Sequence, residues 1–272
     1  MSKLDISNRP IGIFDSGIGG LTVVKEVLHV LPNENIIYFG DTARVPYGTK
    51  SKETITRFAK EDANFLISKK VKAIVVACNT VSSNSLESLN KTFNIPILGV
   101  IEPGAECACR ETRNKKIGVI GTSATIESAA YKINIKKYCP DVTVYCKSCP
   151  LLVPLAEEGW IKKEATYLIV KEYLNELLAL GIDTLVLGCT HYPILKPVIK
   201  NVVGTEVHLI DASYFTAVAL KKLLVDKGIL RVSKSPNKTS FYLSDIPRGF
   251  SAIGERFLGR KITNISVVDI TK

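Results

Sequence analysis

The chain has 272 residues, 46% hydrophobic and 23% charged, which excludes disordered and fibrous classes and leaves room for one large domain or two ordinary ones. Lysine and arginine total 36 against 26 acidic residues, a net charge of +10. The basic residues fall mainly in isolated pairs such as Lys69-Lys70 and Lys136-Lys137, a solvated surface whose positive field gathers acidic substrates rather than a nucleic-acid face.

The opening "MSKLDISNRP" has neither the apolar stretch nor the small-residue cleavage site of a secretory signal, so the expected location is the cytoplasm. The longest apolar runs, such as "AIVVAC", fall far short of the 18 or more residues a membrane helix requires, and no membrane partner is expected. The run "PIGIF" then predicts a first strand, and "DSGIGG" at residues 15–20 predicts its turn into a helix. A dinucleotide fingerprint needs a third glycine where Thr22 stands. Asp41, ending the next strand in "YFGDT", sits near the distance expected of a ribose-binding acid, which keeps a nucleotide-binding regulatory module as the reading from another class. Asp15 counts against it. A carboxylate at the mouth of the turn repels a pyrophosphate, yet it pairs with an amino group while N–H donors at the helix N-terminus hold a carboxylate. An amino acid satisfies both.

Downstream come a helix in "KETITRFAKEDANFLISKK", strands in "AIVVA", "IPILGV", "KIGVIG" and "VTVY", a helix in "TYLIVKEYLNELLALG", and strands in "TLVLG" and "EVHLI". Continuous apolar strands alternating with helices predict an α/β fold of mainly parallel sheets flanked by helices. Ligands of such sheets bind at the carboxyl ends of the strands. Two stretches repeat there. "IGIFDSGIGG" resembles "IGVIGTSATI", and "AIVVACNT" resembles "TLVLGCTH", with 66 residues from Gly12 to Cys78 and 71 from Gly118 to Cys189. The reading is two pseudosymmetric halves whose cleft brings Cys78 and Cys189 face to face.

Two opposed thiols suit inversion of a stereocentre, in which one group removes a proton from one face of a carbon and another returns one to the opposite face. Thiol and thiolate are both accessible near neutral pH once the surroundings tune them. Asp15 lies on the same rim as Cys78, and His191 is two positions beyond Cys189. The seven cysteines of a cytoplasmic chain are expected to be reduced. The pairs Cys107-x-Cys109 and Cys146-x-x-Cys149 lack the flanking loops of a zinc knuckle, so no metal is expected and most of the thiols read as small buried hydrophobes.

Taken together, "FDSGIGG", "YFGDTARVPYG", "ACNT", "LLVPLAEEG" and "LGCTHYPIL" resemble the motif set of bacterial glutamate racemases, cofactor-independent enzymes that make D-glutamate for peptidoglycan. The likeness runs from about Pro10 to Asp211, and "FLG" near the end fits the family's tail. The resemblance implies two α/β domains, residues 1–102 plus 212–272 and residues 103–211, with the active site between them, and a homodimer. It implies Cys78 and Cys189 as the acid/base pair, Asp15 serving Cys78, and Glu157 and His191 serving Cys189. Ser16, Tyr47, Gly48, Asn79, Thr80 and Thr190 would hold the substrate with Asp15 and His191, and Thr122 and Thr125 would assist. Asp41 would be supporting, and choosing Glu157 over Glu158 rests on the motif alone. His29 and His208 read as structural or surface residues. Within the enzyme class the rival is an aspartate racemase, with the same two-thiol logic and a shorter pocket.

Overall fold

The computed structural model describes residues 3–233 and 235–270. Among these, ten strands form two sheets, and every pairing is parallel. In chain order they are β1 (Ile11–Asp15), β2 (Ile36–Gly40), β3 (Ala73–Val76), β4 (Ile97–Gly99), β5 (Lys116–Gly121), β6 (Thr143–Ser148), β7 (Thr184–Gly188), β8 (His208–Ile210), β9 (Thr239–Leu243) and β10 (Ile265–Val267). One sheet runs β10-β9-β2-β1-β3-β4 and the other β6-β5-β7-β8. All eight strands expected from the apolar runs are present. β1, β3 and β7 are buried along their whole length, which is why they read as unbroken apolar runs: helices cover both faces of a parallel sheet.

The order β2-β1-β3-β4 is repeated as β6-β5-β7-β8. In each sheet the first strand of the unit is central and pairs with the second and third. The two strands that lead into Cys78 and Cys189 are therefore topological equivalents, β3 and β7.

The first sheet has two further strands from the end of the chain, β9 and β10, and their junction is held by buried charge. Lys72 and Glu34, with side chains 0% and 1% exposed, pair at 2.5 Å. The Lys72 ammonium also donates to the carbonyls of Ser7 at 2.7 Å and Ile229 at 3.0 Å, while Glu34 accepts the Arg231 N–H at 2.9 Å. Such a pair is tolerated only because hydrogen bonds surround it, and it fastens the returning chain beside β2. The helix Ala212–Asp226, capped by the Asp211 carboxylate, packs on helices Leu21–Val30 and Ile101–Glu111 and so binds the halves together.

Candidate active site

Cys78 is the N-cap of the helix Asn79–Thr92, just beyond β3, and Cys189 opens the turn from β7 into the short helix Tyr192–Leu195. Both are nearly buried, and both line one cavity of about 400 Å³ between the sheets. Ser16 beyond β1, Thr122 beyond β5 and Pro150 beyond β6 line it too. A wider groove of about 710 Å³ runs between helices Lys52–Ser68 and Asn79–Thr92, but it is open and lined by neither cysteine nor histidine.

The glycine turn closes this cavity. The Asp15 carboxylate accepts the Gly17 N–H at 3.0 Å, and the Tyr38 hydroxyl, buried beneath, donates to the Gly17 carbonyl at 2.7 Å. A Cβ on Gly19 would stand 2.4 Å from Thr190 Oγ1 and 2.5 Å from His191 Nδ1. The glycine therefore lets the loop of the second sheet press onto the turn of the first. From the other side, the Thr190 hydroxyl donates to Asp15 at 3.3 Å and Thr22 donates to the Thr190 carbonyl at 3.2 Å.

The two cysteines have different neighbours. The Cys78 thiol donates to Ser16 Oγ at 3.5 Å. Burial, then the nearby Asp15 carboxylate, pushes it up to about 12, with Ser16 pulling the other way. Asp15 is wholly buried behind the cavity wall; burial raises its pKa, against the pull of His191 and of the Gly17 and Gly20 N–H groups. Beside Cys189, His191 Nδ1 lies 3.9 Å from Sγ, and Nε2 is 2.8 Å from Glu157 Oε1. Burial works against a charged His191, but Cys189 and Glu157 outweigh it and raise the ring to about 10. The hydrogen bond from His191 lowers Glu157. Glu158 is exposed, so geometry supplies the distinction that sequence lacked: Glu157 reaches the histidine.

The other expected residues divide between the cavity wall and its support. Asn79 and Thr80 line the cavity; Asn79 Oδ1 accepts the buried Tyr131 hydroxyl at 2.7 Å. Thr80 and Thr122 meet across the cleft at 2.9 Å, and Thr125 stands behind them at 3.5 Å and 3.0 Å. Gly48 faces Thr122 so closely that a Cβ there would be 2.8 Å from the threonine Cβ. Tyr47 is buried, and its hydroxyl points away from the cavity into a network that sequence reasoning missed. It donates to Asp41 and, at 3.3 Å, to Asp62, while Arg44 binds Asp41 at 2.5 Å, Asp62 at 3.0 Å and also Glu61. Burial, then Asp41, raises Asp62 well above the usual carboxyl range against the pull of Arg44. Asp41 is thus tied to the loop that carries Tyr47 and Gly48. His29 is exposed beside Glu26, and His208 meets Arg113 at 3.1 Å, both away from the cavity. All seven cysteines are free thiols. Among the described residues no group of three or more His, Cys, Asp or Glu could hold a metal ion, and no helix is long and apolar enough to cross a membrane.

A model of the family described as "Asp/Glu/Hydantoin racemase" matches residues 18–220. The chain is 51% identical over 262 residues to the glutamate racemase of Geobacter metallireducens, covering 96% of this chain and 97% of that one. It is 52% identical over 263 residues to the glutamate racemase of Neisseria meningitidis serogroup A, with the same coverage. The fold superposes with a TM-score of 0.92 on the crystal structure of glutamate racemase from Francisella tularensis in complex with D-glutamate, at 44% identity and 97% and 99% coverage.

Proposed function

Because the chain belongs to the Asp/Glu/hydantoin racemase family and is an amino-acid racemase, we propose that it interconverts L- and D-glutamate with Cys78 and Cys189 as the two proton carriers. The observation that carries this reading is that two topologically equivalent strands deliver one cysteine each to a single cavity. In one direction the Cys189 thiolate takes the Cα proton of L-glutamate, and the electron pair spreads into the α-carboxylate. The Cys78 thiol then gives its proton to the opposite face, leaving D-glutamate, a Cys189 thiol and a Cys78 thiolate. The reverse reaction exchanges the roles. A Cys78 thiol pushed up to about 12 is the protonated partner that this step requires.

Asp15 acts on Cys78 through the shared turn, and the Glu157–His191 pair acts on Cys189. Ser16, Asn79, Thr80, Thr190 and the Tyr47–Gly48 loop grip the carboxylates and ammonium, with Thr122 closing the far wall and Thr125 supporting it. The reading includes the division into residues 1–102 plus 212–272 and 103–211, a cytoplasmic homodimer, no requirement for cofactor or metal, and supply of D-glutamate for peptidoglycan. Glutamate is preferred to aspartate because the relatives that cover nearly the whole chain at about half identity are named for glutamate.

The test is racemisation by protein dialysed exhaustively against chelator, with glutamate, aspartate and glutamine compared in deuterated water. Glutamate should invert and gain deuterium at Cα, and the other two should be poor substrates, since a site built for a second carboxylate rejects ligands that leave its partners unpaired. Equal specificity constants for glutamate and aspartate would transfer the assignment to aspartate. Activity that returns only with an added cofactor or metal would overturn the two-thiol reading. Stabilisation against heat by NAD and not by D-glutamate would instead favour the nucleotide module.

A further inference from the structure

The last helix of the chain, Phe250–Leu258, is anchored to the first half: Gly254 is packed so tightly that a Cβ there would be 3.3 Å from Leu21 and 2.6 Å from Ile262. It nevertheless reaches the Cys189 side of the cavity at two points. Phe257, 2% exposed, sets its ring nearly perpendicular to that of His191, at 75° with centroids 5.2 Å apart. Arg256 lies against Gly159, just after Glu157; a Cβ on that glycine would be 2.4 Å from Nη1. Gly159 has a φ of +70°, a left-handed conformation that disfavours side chains in any case. One helix thus backs both His191 and the turn that follows its partner Glu157.

We propose that Phe257 is a positioning residue for His191, so that the end of the chain, folded onto the first sheet, fixes the proton-handling group that serves the second. Besides the Gly19 turn pressed against Nδ1 and Cε1, the His191 ring meets Cys189 at one nitrogen, Glu157 at the other, and Phe257 against the ring itself. Torsion about the His191 Cβ–Cγ bond would carry Nδ1 away from Cys189, a contact already 3.9 Å long, and Nε2 away from Glu157. The edge-to-face aromatic neighbour packed against the ring opposes that torsion. The consequence for catalysis rests on the two-cysteine reading, but the positioning itself does not.

Three variants test it: Phe257→Leu, which keeps apolar bulk; Phe257→Tyr, which keeps the ring; and Arg256→Ala, which removes the second contact. The readouts are kcat and KM for glutamate, and the imidazole ¹⁵N signals of His191 in free protein, resolvable because the chain has three histidines. Phe257→Leu should change the His191 signals without substrate present and lower kcat roughly tenfold or more while KM stays within about twofold, since small misplacements of a catalytic group are costly. Phe257→Tyr should restore most of both. Arg256→Ala should change the His191 signals less than Phe257→Leu. Unchanged His191 signals in Phe257→Leu overturn the proposal, as does a Phe257→Tyr variant no better than Phe257→Leu. If the signals move and the protein does not racemise glutamate, the positioning holds and the functional reading fails.

Discussion

The two cysteine sites stand on the same scaffold and differ in nearly everything that touches the sulfur. Each follows the third strand of a repeated four-strand unit. Yet Cys78 faces a serine hydroxyl and a buried carboxyl, whereas Cys189 faces an imidazole held by a carboxylate. The repeated strand order thus brings one thiol from each sheet to the same cavity, and the adjoining loops give the two sulfurs different neighbours. A racemase can use that asymmetry in kcat and KM but not in their ratio. Enantiomers have equal free energy in water, so kcat/KM must be the same in both directions, whatever surrounds each thiol.

The comparison breaks most severely when either sulfur is removed. Cys78→Ser and Cys189→Ser should each lower racemisation by at least about 10²–10⁴, because a positioned acid or base contributes on that order and every turnover uses both. Binding of glutamate, followed by thermal shift, should survive. Solvent deuterium should enter only the enantiomer that faces the remaining thiol. Near-normal racemisation by both variants would reduce the matched strand ends to a trace of duplication.

The next effect concerns the contact between the halves. Gly19→Ala puts a methyl where Thr190 and His191 already stand, and overpacking of this kind costs about 1–3 kcal/mol. Calorimetry should show the loss, and activity should fall further than stability because the displaced residues adjoin Cys189. An unchanged melting temperature would mean the turn and the opposite loop are not pressed together. This role was hidden in the sequence. The spacing of Gly17 and Gly19 shows that no dinucleotide fingerprint is complete, but a glycine required by a partner about 170 residues away leaves no local signal.

The same limit explains the rest of what could and could not be read. β1, β3 and β7 are legible because burial on both faces forces unbroken apolar runs, and β6 and β8, more exposed, are legible by their short Val, Ile and Leu runs between helical segments. β9 and β10, "TSFYL" and "ISV", are partly exposed and carry no such run; their place beside β2 depends on chain return, not on pattern. Cys78, Cys189 and His191 are legible because strand ends announce them. Glu157 is separable from Glu158 only by the reach of its side chain, and the Arg44–Asp41–Asp62 network and Phe257 only by tertiary contact.

A pH series sharpens the contrast between the sides. His191 is raised from 6.5 to about 10, so the stability contributed by its charged form is complete below about 6.5 and is lost as pH rises through about 10. Glu157 is lowered from 4.5, so its share is present above that value and is lost as pH falls through its folded value. The pair therefore supports the fold between these edges. Glu157→Gln should bring the alkaline edge of thermal stability downward and lower kcat about tenfold by loosening the imidazole. Ser16→Ala, on the Cys78 side, should leave that edge in place. An alkaline edge that moves equally in both variants would mean His191 does not set it.

The smallest effect is expected from Tyr47→Phe, which separates the loop that carries Gly48 from the chemistry. The lost hydroxyl donates to Asp41 and Asp62, but Arg44 continues to bind both carboxylates and its guanidinium still lies 4.1 Å above the Phe58 ring. No buried carboxylate is left wholly unpaired, so the cost should be about 1 kcal/mol, the ordinary net value of one hydrogen bond, or roughly 2–4 °C in melting temperature for a chain of this size. Because the Tyr47–Gly48 loop lines the cavity and packs on Thr122, the loosening should appear as a two- to threefold rise in KM with kcat nearly unchanged. Neither cysteine nor the Glu157–His191 pair is touched. A fall in kcat equal to that of Glu157→Gln would show that the loop acts on proton transfer and that the two sides are less separate than their contacts suggest. A stability loss with KM unmoved would remove Tyr47 and Gly48 from the substrate grip altogether.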